Sequence, residues 1–108
     1  DSDGYTLGNS GIMNASGRTY VSWNWKGAGS TSANSDGATN STVSVNATAG
    51  FSIVSYVGTG SQTTVGHGLG ATPDVIFVKN RDTTEDWSVY HSANGAGYYQ
   101  AINTTEAA

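Results

Sequence analysis

Gly50-Phe51-Ser52-Ile53-Val54-Ser55-Tyr56-Val57, then a glycine-rich turn Val65-Gly66-His67-Gly68-Leu69-Gly70, then Pro73-Asp74-Val75-Ile76-Phe77-Val78-Lys79 and Asp86-Trp87-Ser88-Val89-Tyr90-His91, decide how this chain reads. The apolar residues fall in short runs of about four to eight, rich in β-branched and aromatic types and bounded by Gly, Asn, Asp and Thr, the pattern of sheet strands. In residues 51–57 both faces carry apolar groups: Phe51, Ile53 and Val57 on one, Val54 and Tyr56 on the other. Residues 75–78 repeat this. Two-sided apolarity predicts central strands covered on both faces, with a core on Phe51, Ile53, Val54, Val75, Ile76, Phe77 and Val78.

Working outward, residues 42–46 alternate, with Val43 and Val45 pointing one way, and residues 47–50 read as a turn or bulge before the next strand. Residues 18–26 alternate strictly. Val21, Trp23 and Trp25 share one face, while Tyr20, Ser22, Asn24 and Lys26 share the other, as expected of a half-buried strand. Between these, residues 27–42 are a run of Gly, Ala, Ser, Thr and Asn around Ser35-Asp36-Gly37, read as a long polar loop or linker joining two units. Residues 1–17 are turn material around Tyr5-Thr6-Leu7. Residues 82–86 read as a hairpin loop, Trp87, Val89 and His91 share a face beyond it, and residues 98–102 form a last short strand before a polar tail. No segment keeps a helical period. The expected fold is therefore all-β, an antiparallel sandwich or jelly-roll-like pair of sheets with about seven or eight strands. Its organisation is 1–26 as closing strands, 27–42 as linker and 43–108 as the main unit, completed within one chain or between chains.

A chain of 108 residues suits one small domain, which buries roughly 60 to 70% of the surface exposed by its unfolded form. Charged residues make up only 11%, so solubility rests on Ser, Thr, Asn and Gly, a surface that suits packing against copies of itself. The net charge of −4, with Arg18, Lys26, Lys79 and Arg81 the only cations, provides no basic stripe for nucleic acid. Cysteine is absent, which excludes disulfides and thiolate metal sites. The start has neither a basic nor an apolar segment, and no apolar run approaches the ~18 residues of a membrane span. A mature or internal fragment of a longer polypeptide is expected, with no membrane partner.

Few residues point to chemistry. His67, between glycines, and His91, ending a strand, read as structural rather than as an acid/base pair or metal ligands. The run 66–70 resembles a phosphate loop only superficially, because Ala71-Thr72-Pro73 leads into a strand where such a loop needs a helix. Acidic turns at 1–3, 35–37 and 82–86 lack the EF-hand spacing, and calcium wants about six to eight oxygens. They read as solvated turns. Trp23 and Trp87 read as packing residues, whereas Tyr98 and Tyr99 stay open between packing and stacking on a sugar ring. Sequons at Asn14, Asn40, Asn46 and Asn103 are what chance allows in so Asn- and Thr-rich a chain. No Ser/His/Asp spacing marks a nucleophile. No enzyme activity, cofactor or metal is expected.

The words Gly50-Phe51-Ser52-Ile53-Val54-Ser55-Tyr56, Thr64-Val65-Gly66-His67-Gly68-Leu69-Gly70, Pro73-Asp74-Val75-Ile76-Phe77-Val78-Lys79-Asn80-Arg81-Asp82 and Asp86-Trp87-Ser88-Val89-Tyr90-His91 resemble a repeated domain of tailed bacteriophages, especially marine ones. That domain recurs in tail-fibre and other virion proteins, often beside concanavalin- or laminin-G-like sandwiches. Tyr5-Thr6-Leu7-Gly8 and Asn14-Ala15-Ser16-Gly17-Arg18-Thr19-Tyr20-Val21-Ser22-Trp23 look like its closing strands, which usually follow the block ending at Asn103-Thr104-Thr105. The resemblance thus implies a chain that begins with the end of one unit and stops inside the next. The resemblance implies a virion structural subunit, a tail-fibre or surface-decoration part, or alternatively a carbohydrate-binding host-adhesion module on a fibre. It implies location on the particle, contact with other virion proteins, and self-association into a trimeric fibre or a filament, with Trp23 and Trp25 near the subunit boundary. No catalytic residue carries over.

Overall fold

The computed structural model describes residues 3–104; Asp1, Ser2, Thr105 and the end of the polar tail lie outside the described residues. The fold is all-β apart from one single-turn 3₁₀ helix at Ser92–Asn94. Six strands form two antiparallel sheets. The first holds β1 (Ser32–Asn34), β2 (Ser41–Asn46) and β3 (Phe51–Tyr56) in sequence order, and the second holds β4 (Val75–Val78), β5 (Ser88–His91) and β6 (Gln100–Ala101). Six strands among the described residues fall short of the seven or eight expected.

The β2–β3 hairpin forms where the alternation placed it. Asn46 stops the strand by accepting Ala49 N–H on Oδ1 at 3.1 Å, and Gly50 turns the chain at φ 65°, a conformation that costs a residue with a Cβ. Register pairs Val43 with Val54 and Val45 with Ser52, so one face of this sheet carries Ser41, Val43, Val45, Ser52 and Val54. The loop around residues 63–68 crosses that face. Thr39 bridges to Val65 in parallel, Ser41 Oγ donates to Gly66 O at 3.1 Å, and Ser52 Oγ donates to His67 O at 2.7 Å. Val43 is left 4% exposed beneath it. On the opposite face, with Ser44, Phe51 and Ile53, the chain at residues 25–28 lies across the sheet: Trp25 stacks on Phe51 with centroids 5.6 Å apart, Ala28 N–H reaches Ser44 Oγ, and Asn46 Nδ2 donates to Lys26 O.

The β4–β5 hairpin matches the expected loop at 82–86, where Asn80 Oδ1 accepts the amides of Asp82 and Thr83. Beyond β5, His91 Nδ1 caps the 3₁₀ turn by accepting Ala93 N–H. β6 is held against β5 partly by Asn103, whose Oδ1 accepts Trp87 N–H at 2.8 Å while its Nδ2 donates to Asp86 Oδ1. Val89, central in this sheet, is 6% exposed.

Several expectations are overturned. The core is not where the two-sided runs placed it: the buried apolar residues are Val43 and Val89, while Val75, Ile76, Phe77 and Val78 are 40 to 53% exposed and Ile53 is exposed. β3 and β4 end up on sheet edges, and residues 63–68 and 25–28 cover β3 only in part. Residues 18–26 form no strand, and neither do residues 5–7. Alternation is satisfied only by an edge to pair with and a surface to cover, and this segment meets the sheet at its end, through Trp25 on Phe51 and Lys26 O, which accepts from Asn46 Nδ2. Trp23 is 73% exposed and Trp87 is exposed, so neither packs as expected. The polar stretch 27–42 carries β1 and the Thr39 bridge, because backbone pairing with β2 needs no apolar side chain. The last strand shrinks to Gln100–Ala101.

Candidate functional site

The glycine-rich turn is a clasp built by backbone shape. Gly68 and Gly70 adopt φ 72°. Gly66 is admitted for closeness instead: a Cβ there would collide with the Asn34 side chain, and at Gly37 a Cβ would stand 2.5 Å from Thr64 O. The two strands of loop are then tied by Thr39 N–H to Thr64 O at 2.9 Å, Ala38 N–H to Thr64 Oγ1 and the Thr39 and Thr63 hydroxyls at 2.7 Å. His67 accepts Leu69 N–H on Nδ1 at 3.2 Å, which uses one ring nitrogen in turn geometry.

Groups that would do chemistry are dispersed or occupied. Ser92 Oγ donates to Asp74 Oδ1 at 2.9 Å while neighbouring His91 Nδ1 is taken by its turn. A nucleophilic serine needs the histidine, not the carboxylate, as its acceptor. Asp36 Oδ2 accepts from Asn34 Nδ2, and Asp86 from Asn103, so these acidic turns have internal work. Among the described residues no three His, Cys, Asp or Glu side chains gather where a metal could be held, and no helix is long and apolar enough to cross a membrane.

The binding candidates separate onto the two sheets. Trp25 is anchored on Phe51 of β3, with Trp23 projecting two residues earlier. Tyr98 and Tyr99 precede β6, each 71% exposed, with Tyr98 N–H held by Gly95 O at 3.3 Å. Of the sequon asparagines, Asn14 donates to Gly8 O and Asn46 and Asn103 are engaged as above, while Asn40 is exposed. What sequence reasoning missed is the exposure of β4, the polar ties of Asn34, Ser41 and Ser52 at the clasp, and those of Asn103 in the other sheet. The serines inside apolar alternation were its one available signal.

A family described as a domain of unknown function (DUF7483) matches residues 1–108. The chain belongs to that family. Comparison with curated proteins and with solved structures gives no match. Membership in DUF7483 assigns no activity, and the functional reading rests on the surface, where large apolar side chains of β3, β4 and residues 20–25 are exposed.

Proposed function

We propose that this DUF7483 chain is a bacteriophage virion structural protein, a tail-fibre or surface-decoration subunit that acts by assembling with copies of itself and with other virion proteins. One observation carries the reading. The chain exposes 8908 Å², whereas a compact monomer of 11.1 kDa exposes about 5,700 Å². Surface of this extent, rich in Val, Ile, Phe and Trp, is what a subunit shows when its neighbours are taken away. In the assembled form the two sheets complete a sandwich or jelly-roll-like pair that one chain leaves open. The subunit resides on the particle surface, has no turnover, cofactor or metal of its own, and engages neither nucleic acid nor membrane. The resemblance of its central words to tail-fibre repeats supports the location.

A second reading has its own observation: the exposed neighbours Tyr98 and Tyr99 offer aromatic faces of the kind on which sugar rings stack, as in a host-adhesion module. Antibody to the chain should decorate intact phage particles, and the purified chain should leave host polysaccharide uncut. Failure to label any particle, or cleavage abolished by an Asp or Glu substitution, overturns the proposal. Glycan binding lost in Tyr98→Ala or Tyr99→Ala would favour the adhesion reading instead.

A further inference from the structure

Each sheet has two edges, and they differ in chemistry. β1 offers Ser-Ala-Asn, and β6 is only two residues long. β3 carries Ser52 and Ser55, is crossed by Trp25 at Phe51, and is touched by Arg81 Nη1 at Ser55 Oγ, 3.5 Å away. β4 is different: Val75, Ile76, Phe77 and Val78 are all apolar, point alternately to the two faces, and are each at least 40% exposed. Its inner side is paired to β5 through four residue pairs, and among the described residues no backbone hydrogen bond reaches its outer side. The strand itself holds no proline and no charge, and Pro73, Asp74 and Lys79 stand just outside it.

We infer that the outer edge of β4 is the self-association surface, where a second copy of this chain adds its own β4 in antiparallel fashion and joins the two three-stranded sheets into one. This rests on the assembly reading above and names its contact. The occupant follows from three observations. The edge is complementary to itself: a twofold axis normal to the sheet at Ile76 sets Ile76 against its counterpart and Val75 of each copy against Phe77 of the other, all on matching faces. An axis at Phe77 does the same for Ile76 and Val78. The chain carries too little charge, 11% of residues, to call for an oppositely charged partner or to repel its own copy. The surface in excess of a compact monomer, about 3,200 Å² per chain by difference from 8908 Å², is more than the roughly 1,000 to 2,500 Å² that each partner of an obligate homo-oligomer buries, so a contact between copies has ample surface to cover.

The chain has no cysteine, so single thiols report contacts cleanly. Ile76→Cys and Phe77→Cys should be made in the full chain, with Val57→Cys, exposed but off the strand, as control. Under mild oxidation at micromolar concentration, at least one of the β4 variants should run mostly as a disulfide-linked dimer, because opposite residues at a strand pair stand within disulfide reach. The control should not. Ile76→Lys should weaken association about tenfold or more by placing like charges face to face, without altering the circular dichroism of the strands. If that variant unfolds, the cysteine pair decides. An associating wild type whose β4 variants neither cross-link nor weaken overturns the β4 assignment and leaves self-assembly standing; a wild type that stays monomeric overturns both.

Discussion

Gly37 and Gly68 are where single atoms decide whether the clasp closes. A methyl at Gly37 meets Thr64 O at 2.5 Å and Gly66 N at 2.8 Å, backbone atoms that cannot step aside without breaking the Thr39–Thr64 bond. Gly37→Ala should therefore destabilise the chain by about 1 to 3 kcal/mol, the range for overpacking a tight site. Gly58→Ala, with open space around it and no positive φ, should change stability by less than about 0.5 kcal/mol. Urea titration of both checks the pair, and equal effects would refute the clasp. At His67 the relevant atom is Nδ1, acceptor for Leu69 N–H. Asn can supply the same acceptor in an Asx turn, so His67→Asn should leave stability and assembly unchanged, whereas His67→Ala should cost about 1 kcal/mol for the lost bond. Metal density within ~2.2 Å of the ring would contradict this structural role.

At the scale of elements, the alternating segment 18–26 meets the first sheet at its end, through the Trp25 ring and the Lys26 carbonyl. Trp25 stacks on Phe51 at an interplanar angle of 7°, while Trp23 has no ring partner among the described residues. Trp25→Ala should lower stability by about 1 kcal/mol, and Trp23→Ala should leave the isolated fold unaffected and weaken only assembly. Thermal unfolding of the two variants, compared with their sedimentation, separates the effects. The hairpins were legible in the residues because local rules made them: Asn46 and Gly50 at one turn, Asn80 at the other, and β-branched runs beside them. The order of strands within each sheet was not legible. Two-sided apolarity in 51–57 and 75–78 is written identically whether a strand lies at the centre of a sheet or on an edge that another chain covers, so burial was placed on the wrong residues. β1 escaped notice because Ser-Ala-Asn pairs through its backbone alone. Of the candidate site, the glycines' conformational role was readable, and the exposure of Tyr98 and Tyr99 was open to either reading.

For the whole molecule, shape carries the account. A radius of gyration of 16.5 Å exceeds the roughly 13 Å of a compact chain of this length. With Val43 and Val89 the only buried apolar side chains among the described residues, a lone chain forgoes much of the hydrophobic stabilisation open to its sequence. Covering β3, β4 and the Trp-bearing segment in an assembly recovers it, so the unfolding temperature should rise with protein concentration; a Tm constant over a hundredfold dilution would contradict this. The most direct measurement is the solution mass of the full chain by multi-angle light scattering through a micromolar dilution series. The account predicts a multiple of 11.1 kDa that falls towards the single chain only on dilution. A constant mass of 11.1 kDa at every concentration, with tryptophan emission blue-shifted as for buried rings, would contradict it.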